Sequence, residues 1–101
     1  MALNYKLTIV TSTPYNVTSD DEVLMVNIAG PASVVLPSNG GSGDTKRAVY
    51  IKDYSGQART NPITITSAGG KTIDGVSFAI LNNGYSHIQI MYDGTNWKTI
   101  A

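Results

Sequence analysis

Apolar and polar residues alternate along much of this 101-residue chain with the period of two that is typical of β-strands. The pattern is clearest in residues 61–75, where Ile63 and Ile65 fall on one face and the intervening threonines on the other. Gly69-Gly70 then lets the chain reverse sharply, because glycine adopts backbone angles that residues with a Cβ avoid. Ile73 returns to the core side of the sheet. This stretch is the segment around which the rest of the chain is expected to fold.

The same alternation predicts strands throughout the chain, separated by turn residues. Asp74-Gly75, Asn83-Gly84 and Asp93-Gly94 are dipeptides that tight hairpin turns favour, and Pro14 confines any strand beside it to a sheet edge. The further strands are expected over residues 3–10, 23–28, 33–37, 48–54, 76–80, 86–92 and 96–100. Short strands with regular turns between them predict a single all-β domain over residues 1–101, an antiparallel, jelly-roll-like β-sandwich of about eight strands.

The segment 23–28 differs from the other predicted strands because apolar residues fall on both of its faces. Both faces must therefore be covered. Either this strand is central in the sandwich, or its outer face meets another subunit.

Composition favours sheet over helix and limits the classes of partner. Ile occurs ten times and Val eight times against five Leu, and β-branched residues suit a pleated sheet. Charged residues make up 14% of the chain and the net charge is zero, so we expect no nucleic-acid partner. No apolar run approaches the roughly 20 residues of a membrane span, so we expect no membrane insertion.

The candidate chemical groups do not assemble into a catalytic or metal site. His87 is the only histidine and alternates with Ile88, which places it on the surface. The acidic run at 20–22 lacks the alternating oxygen ligands of a calcium loop and is interpreted as a solvated turn. The Gly-rich segment 38–45 lacks the Gly-Lys-Ser/Thr of a phosphate-binding loop. With no cysteine and no nucleophile–base pair, we expect no enzyme activity, no cofactor and no metal.

Aromatic and amide side chains near predicted loops are the better candidates for ligand contact. Trp97 enters the last strand directly after a turn and is expected to close the core. Tyrosine can stack on a sugar ring while amides bond its hydroxyls, and binding residues tend to lie on loops held by a rigid scaffold. The candidate loops are 38–44, 57–61 and 82–85. The candidate ligand-binding residues are Tyr54, Tyr85, Tyr92, Asn82 and Gln57.

The order of several short motifs resembles that of modules from bacteriophage tail fibres and related virion fibres. From residue 49 onward these motifs are Val-Tyr-Ile-Lys-Asp, Ser-Gly, Asn-Pro-Ile-Thr-Ile-Thr, Gly-Gly-x-Thr-Ile-Asp-Gly and Asp-Gly-x-Asn-Trp. Ahead of them lie Tyr-Asn-Val-Thr-Ser-Asp-Asp, the apolar segment 23–28 and Val-Val-Leu-Pro. The resemblance covers nearly the whole chain from about Tyr15.

The resemblance implies a β-rich, commonly trimeric fibre or tip domain, often one that adheres to the host surface. We therefore expect a structural protein of a phage tail or capsid fibre, a homotrimer that contacts other virion proteins and host-surface polysaccharide. The start of the chain lacks the basic and apolar regions of a signal peptide, so the expected route to the virion begins in the host cytoplasm. The alternative is a free-standing carbohydrate-binding module without a virion role.

Overall fold

The computed structural model describes residues 6–18, 21–38 and 48–100, and within them the chain is all-β. The strands are β1 (Leu7–Val10), β2 (Tyr15–Asn16), β3 (Val23–Val26), β4 (Ala32–Leu36), β5 (Ala48–Asp53), β6 (Ile63–Ser67), β7 (Ala79–Leu81), β8 (His87–Tyr92) and β9 (Trp97–Thr99). A three-residue 3₁₀ turn, Ala68–Gly70, follows β6. Among the described residues no helix is long and apolar enough to cross a membrane.

The strands form two mixed sheets. Sheet A has five strands in the order β1-β3-β5-β8-β9, and sheet B has four in the order β2-β4-β6-β7. The first six strands alternate between the sheets, and each of β1 to β4 pairs in parallel with the strand two positions later. The chain therefore passes back and forth between the two sheets and adds one strand to each sheet in every complete passage. The later pairs β5–β8, β8–β9 and β6–β7 are antiparallel.

This topology corrects the prediction of an antiparallel, jelly-roll-like sandwich. A tight hairpin returns the chain within one sheet and forces antiparallel pairing. Here the described segments 11–14 and 27–31 instead carry the chain from one sheet to the other, and strands two positions apart run in the same direction. The all-β prediction is confirmed, while its antiparallel part holds only for the C-terminal strands.

The core lies between the sheets and follows the predicted alternation. In β6, Ile63 and Ile65 are buried and the threonines between them are not. Trp97 is fully buried, as predicted, and its indole N–H lies 3.1 Å from the hydroxyl of Ser67. The other fully buried large side chains include Leu24, Leu36, Ile51, Ile73 and Ile90. Each such side chain contributes about 1.5–3 kcal/mol when removed from water.

Residues 73–81 differ in detail from their prediction. Ile73 and Val76 exchange both backbone hydrogen bonds across Asp74-Gly75, and both turn residues have positive φ, at 51° and 82°, as an Asp-Gly hairpin turn requires. The strand then begins at residue 79 instead of 76, and Leu81 is its buried residue. The alternating apolar side chains Val76, Phe78 and Ile80 remain exposed.

The outer faces of the two sheets differ in polarity. On sheet A the register aligns Leu7, Val23, Tyr50 and Gln89 in one row and Ile9, Met25, Lys52 and His87 in the next. On sheet B the outward residues of the middle strands include Ser33, Thr64 and Thr66. The outer face of sheet A is therefore apolar at β1 and β3 and polar at β5 and β8, whereas the middle strands of sheet B present mainly hydroxyl groups. The segment 23–28 was predicted to be covered on both faces, and its strand β3 is covered only on the inner one among the described residues.

Candidate functional site

Two loops meet at one end of the sandwich, after β5 and before β8, and a buried carboxylate joins them. Asp53 ends β5 on its inward face and is only 2% exposed. Its Oδ2 accepts the backbone N–H of Ala58 at 2.9 Å and that of Tyr85 at 3.0 Å. One side chain thus fixes both loops relative to the sheet. We call residues 54–58 and 82–86, which Asp53 joins, the loop site.

The protonation state of Asp53 is set by these bonds. Burial acts to raise the pKa of this carboxyl, but the backbone N–H groups of Ala58, Tyr85, Gly56 and Gln57 outweigh burial, and the pKa of Asp53 is lowered. The group is therefore an anion at neutral pH, satisfied by oriented amides. Such charge-assisted bonds are stronger than neutral ones, so Asp53 holds the two loops together.

Tyr85 occupies a conformation that its neighbours maintain. Its φ is 61°, an uncommon value for a residue with a large side chain. Its carbonyl accepts a hydrogen bond from Lys52 Nζ at 2.7 Å, and the same ammonium lies 5.8 Å from the ring centroid. A Cβ on Gly56 would lie 2.4 Å from the Tyr85 ring, and a Cβ on Gly84 would lie 2.8 Å from the Gly56 carbonyl oxygen. The two glycines permit the close contact that holds the ring.

Four of the five candidate ligand-binding residues lie in the loop site. Tyr54 and Tyr85 are 49% and 61% exposed, and Gln57 and Asn82 are also exposed. A cleft of about 340 Å³ lies beside these loops, lined by Asn27, Ile28, Ala29, Ser55 and Gln57. Aromatic rings and uncharged hydrogen-bonding groups therefore share one end of the molecule.

Tyr92, the fifth candidate, lies elsewhere, and its assignment is corrected. It is 4% exposed and belongs to the core. Its ring packs against Trp97 with centroids 5.2 Å apart, and its hydroxyl donates to the carbonyl of Ser38 at 3.3 Å. Tyr92 is next to a turn in the sequence, but it lies on the inward face of β8 and is therefore a core residue. Of the candidate loop 38–44, all but Ser38 lies outside the described residues.

A second buried carboxylate shows that the acidic run at 20–22 is not a solvated turn. Asp21 is 2% exposed and accepts hydrogen bonds from the Thr8 hydroxyl at 3.0 Å, the Tyr15 hydroxyl at 2.7 Å and the Thr18 N–H at 2.8 Å. Burial acts to raise the pKa of Asp21, but these bonds outweigh it and the pKa is lowered. Burial, together with Asp21, raises the pKa of Tyr15 to about 12. Asp20 lies outside the described residues.

The remaining candidate groups lie on the surface or in turns. His87 is exposed on the outer face of sheet A, as predicted. Asp93 accepts the N–H groups of Thr95 and Asn96, both at 2.8 Å, and so stabilises its own turn as an Asp before Gly is expected to. In the part of the chain that the structure describes, no group of three or more His, Cys, Asp or Glu could hold a metal ion.

The fold and the loop site together define a β-rich domain with exposed tyrosine and amide side chains on two joined loops at one end. The family to which it belongs follows from comparison with known proteins. Residues 4–99 match the model of the family described as bacteriophage T4 gp9/10-like protein, N-terminal, and the chain belongs to that family. A search of curated proteins found no match.

Membership confirms the coarser part of the resemblance to phage fibre modules. The chain is a bacteriophage structural protein of the tail or fibre type, with other virion proteins as its partners. This class is consistent with a location in the virion.

Proposed function

We propose that this domain is a homotrimeric, non-enzymatic module of a phage tail or capsid fibre that helps attach the particle to host-surface glycans. The loop site is the observation that carries the proposal, because it gathers two exposed tyrosines with amide and hydroxyl groups on a rigid support. Sugar rings offer apolar C–H faces to aromatic rings and hydroxyls to amides. The low charge of the chain, 14% of residues with a net charge of zero, suits a neutral polysaccharide.

The roles of the individual side chains follow from their positions. Tyr54 and Tyr85 would stack on sugar rings, and Gln57 and Asn82 would bond ring hydroxyls. Asp53 and Lys52 hold the loops and contact no ligand in this scheme. Each hydrogen bond contributes only about 1 kcal/mol net, so one site binds weakly. Three copies on a trimer would raise the overall affinity through multivalency.

The test is adsorption of intact phage particles to host cells. Replacing both Tyr54 and Tyr85 by Ala removes the two rings, and we expect adsorption to fall at least tenfold. Replacing both by Phe keeps the rings and loses only the hydroxyls, so adsorption is expected to stay within about twofold of wild type. Wild-type adsorption by the Ala particles would contradict the proposed site.

Two controls separate loss of a contact from loss of the domain. The melting temperature of each purified variant reports whether the fold survives, and protein analysis of purified particles reports whether the variant is incorporated. A domain that binds glycans but is absent from the particles would support the alternative, a free-standing carbohydrate-binding module without a virion role.

A further inference from the structure

The cleft beside the loop site lies between the segment that follows β3 and the loop that follows β5. These two strands are parallel neighbours, with Val26 aligned with Asp53. The N–H of Tyr54 continues the pairing by donating to the Val26 carbonyl at 3.0 Å. Because parallel strands end at the same edge of a sheet, residues 27–29 and 54–57 leave the sheet side by side. We call the cleft of about 340 Å³ between them the side cleft.

The side cleft combines hydrogen-bonding and aliphatic groups. It is lined by Asn27, Ile28, Ala29, Ser55 and Gln57. Ile28 packs against the core, whereas Asn27 and Gln57 are exposed. Among the described residues, the hydrogen bonds of Asn27 and Gln57 use backbone atoms only. Both side-chain amides are therefore available to a ligand, next to two aliphatic side chains.

The charges at the side cleft favour a neutral ligand. None of its five lining residues is charged, so the cleft offers no cation to a carboxylate or a phosphate. The nearest fixed charge shown is negative, because Oδ1 of the buried Asp53 lies 3.4 Å from the Ser55 hydroxyl oxygen. A negative charge beside the cleft opposes the binding of an anion.

The aliphatic residues distinguish between classes of neutral sugar. A hydroxyl group placed against Ile28 and Ala29 would lose its water without gaining a partner, which costs free energy, whereas a methyl group placed there gains free energy. The acetamido group of an N-acetylated sugar carries a methyl group on an amide with one donor and one acceptor. The amides of Asn27 and Gln57 supply the complementary acceptor and donor. Only a sugar with this substituent uses both halves of the lining.

The size of the side cleft suits one sugar unit with its substituent. Ligand pockets usually measure about 300–1,000 Å³, and this cleft lies near the lower end of that range. Tyr54, which is 49% exposed, follows β5 at the border of the cleft. The next sugar of a chain can therefore stack on Tyr54 while the acetamido group lies in the cleft.

We propose that the side cleft is the specificity subsite of the loop site and binds the acetamido group of an N-acetylated hexosamine. This inference rests on the proposed attachment to glycans and names the class of sugar. Gln57 belongs to both the loop site and the side cleft, whereas Asn27 and Ala29 belong to the side cleft alone.

The test is an NMR titration of the 101-residue chain with two pairs of methyl glycosides. One pair is N-acetylglucosamine and glucose, and the other is N-acetylgalactosamine and galactose. The members of each pair differ only in the acetamido group or hydroxyl group at C2. We expect at least one acetylated sugar to bind about tenfold more tightly than its partner, from one buried methyl group and one hydrogen bond. The backbone amide signals of residues 27–29 and 55–57 should shift on binding.

Three exposed positions provide the variants. Asn27→Ala removes one amide and should weaken binding of the acetylated sugar about fivefold, while binding of its hydroxyl partner stays within about twofold. Ala29→Asp places a carboxylate beside the methyl group and should abolish the preference. Asn16→Ala is the matched control, because Asn16 is an exposed asparagine on β2 of the other sheet, and it should bind as wild type does. The melting temperature of each variant checks that it is folded.

The outcomes separate this inference from the proposed function. If both members of each pair bind equally and shift the signals of Tyr54 and Tyr85, the loop site still binds sugar and the inference is overturned. The inference is also overturned if the acetylated sugar is preferred equally by wild type, Asn27→Ala and Ala29→Asp. If no sugar binds, the inference fails, and adsorption of the particles with Ala at residues 54 and 85 decides the proposed function independently.

Discussion

At the scale of single residues, two buried aspartates organise the molecule. Asp53 joins the two loops of the loop site, and Asp21 joins β1, β2 and the segment before β3. Both carboxylates accept several hydrogen bonds and both have a lowered pKa. A buried anion left without its donors costs several kcal/mol, so these residues hold the loops in one arrangement.

Replacing Asp53 by Asn is expected to destabilise the domain by about 2–3 kcal/mol. The amide keeps only one oxygen acceptor and presents an NH₂ group to backbone donors, and hydrogen bonds to charged groups are worth about 1.5–3 kcal/mol. Urea unfolding measures the change. Asp93→Asn is the control, because Asp93 bonds its own turn at an exposed position and its loss should cost far less. Equal losses for the two variants would contradict the role given to Asp53.

The lowered pKa of Asp53 gives the stability an acid dependence. An unfolded Asp has a pKa of about 3.9. A group whose folded pKa lies lower contributes stability that is fully present above that value and lost as the pH falls through the folded pKa. We expect wild type to lose stability below about pH 4, and Asp53→Asn to lose less. Parallel acid unfolding curves for the two proteins would count against this account.

The raised pKa of Tyr15 predicts that stability depends on pH in the opposite direction, with a loss at high pH. Its pKa is raised to about 12 from about 10 in an unfolded chain. A raised pKa contributes stability that is present below the unfolded pKa and lost as the pH rises toward the folded one. The stability difference between wild type and Tyr15→Phe should therefore shrink between about pH 10 and 12. A difference that stays constant across this range would contradict the bond from Tyr15 to Asp21.

At the scale of elements, two glycines allow the loops of the site to pack together. Gly56 has φ +80° and lies against the Tyr85 ring, and Gly84 lies against the Gly56 carbonyl. Gly94 also has positive φ, at +103°, but a Cβ there would meet nothing within 4 Å. Comparing substitutions at Gly56 and Gly94 therefore separates two effects. Both positions have positive φ, but only at Gly56 would an added Cβ also clash with a neighbouring side chain.

Gly56→Ala is therefore expected to destabilise the domain more than Gly94→Ala. Both variants pay about 1 kcal/mol for a side chain at positive φ, and only Gly56→Ala also displaces the Tyr85 ring. Tyrosine fluorescence or the NMR signals of Tyr85 should change in the first variant alone. If the two variants lose the same stability and leave Tyr85 unmoved, the packing described for the loop site is wrong.

The elements also show what the sequence could and could not predict. The alternation fixed where most strands lie and which side chains, such as Ile63 and Trp97, are buried. The alternation could not predict whether neighbouring strands are parallel or antiparallel. That depends on whether the segment after each strand returns to the same sheet or crosses to the other one. Asp53 carried an overlooked signal: it shares the inward face of β5 with Val49 and Ile51, and a carboxylate at an inward position must be satisfied by the protein. For Tyr92 the same parity predicts burial, since residues 88, 90 and 92 lie on one face of the strand and two of them are isoleucines.

At the scale of the whole molecule, the loop site lies at one end of the domain, at the ends of β5 and β8. The proposed attachment to glycans uses this end alone. Tyr54 and Tyr85 are exposed there, so replacing them should disable attachment and leave the core between the two sheets intact.

Cryo-electron microscopy of the phage particle tests the central claim most directly. The account predicts three copies of the domain related by threefold symmetry on a tail or capsid fibre, with residues 54–58 and 82–86 directed away from the particle. Absence of the domain from the particle, or a loop site buried against another virion protein, would contradict it.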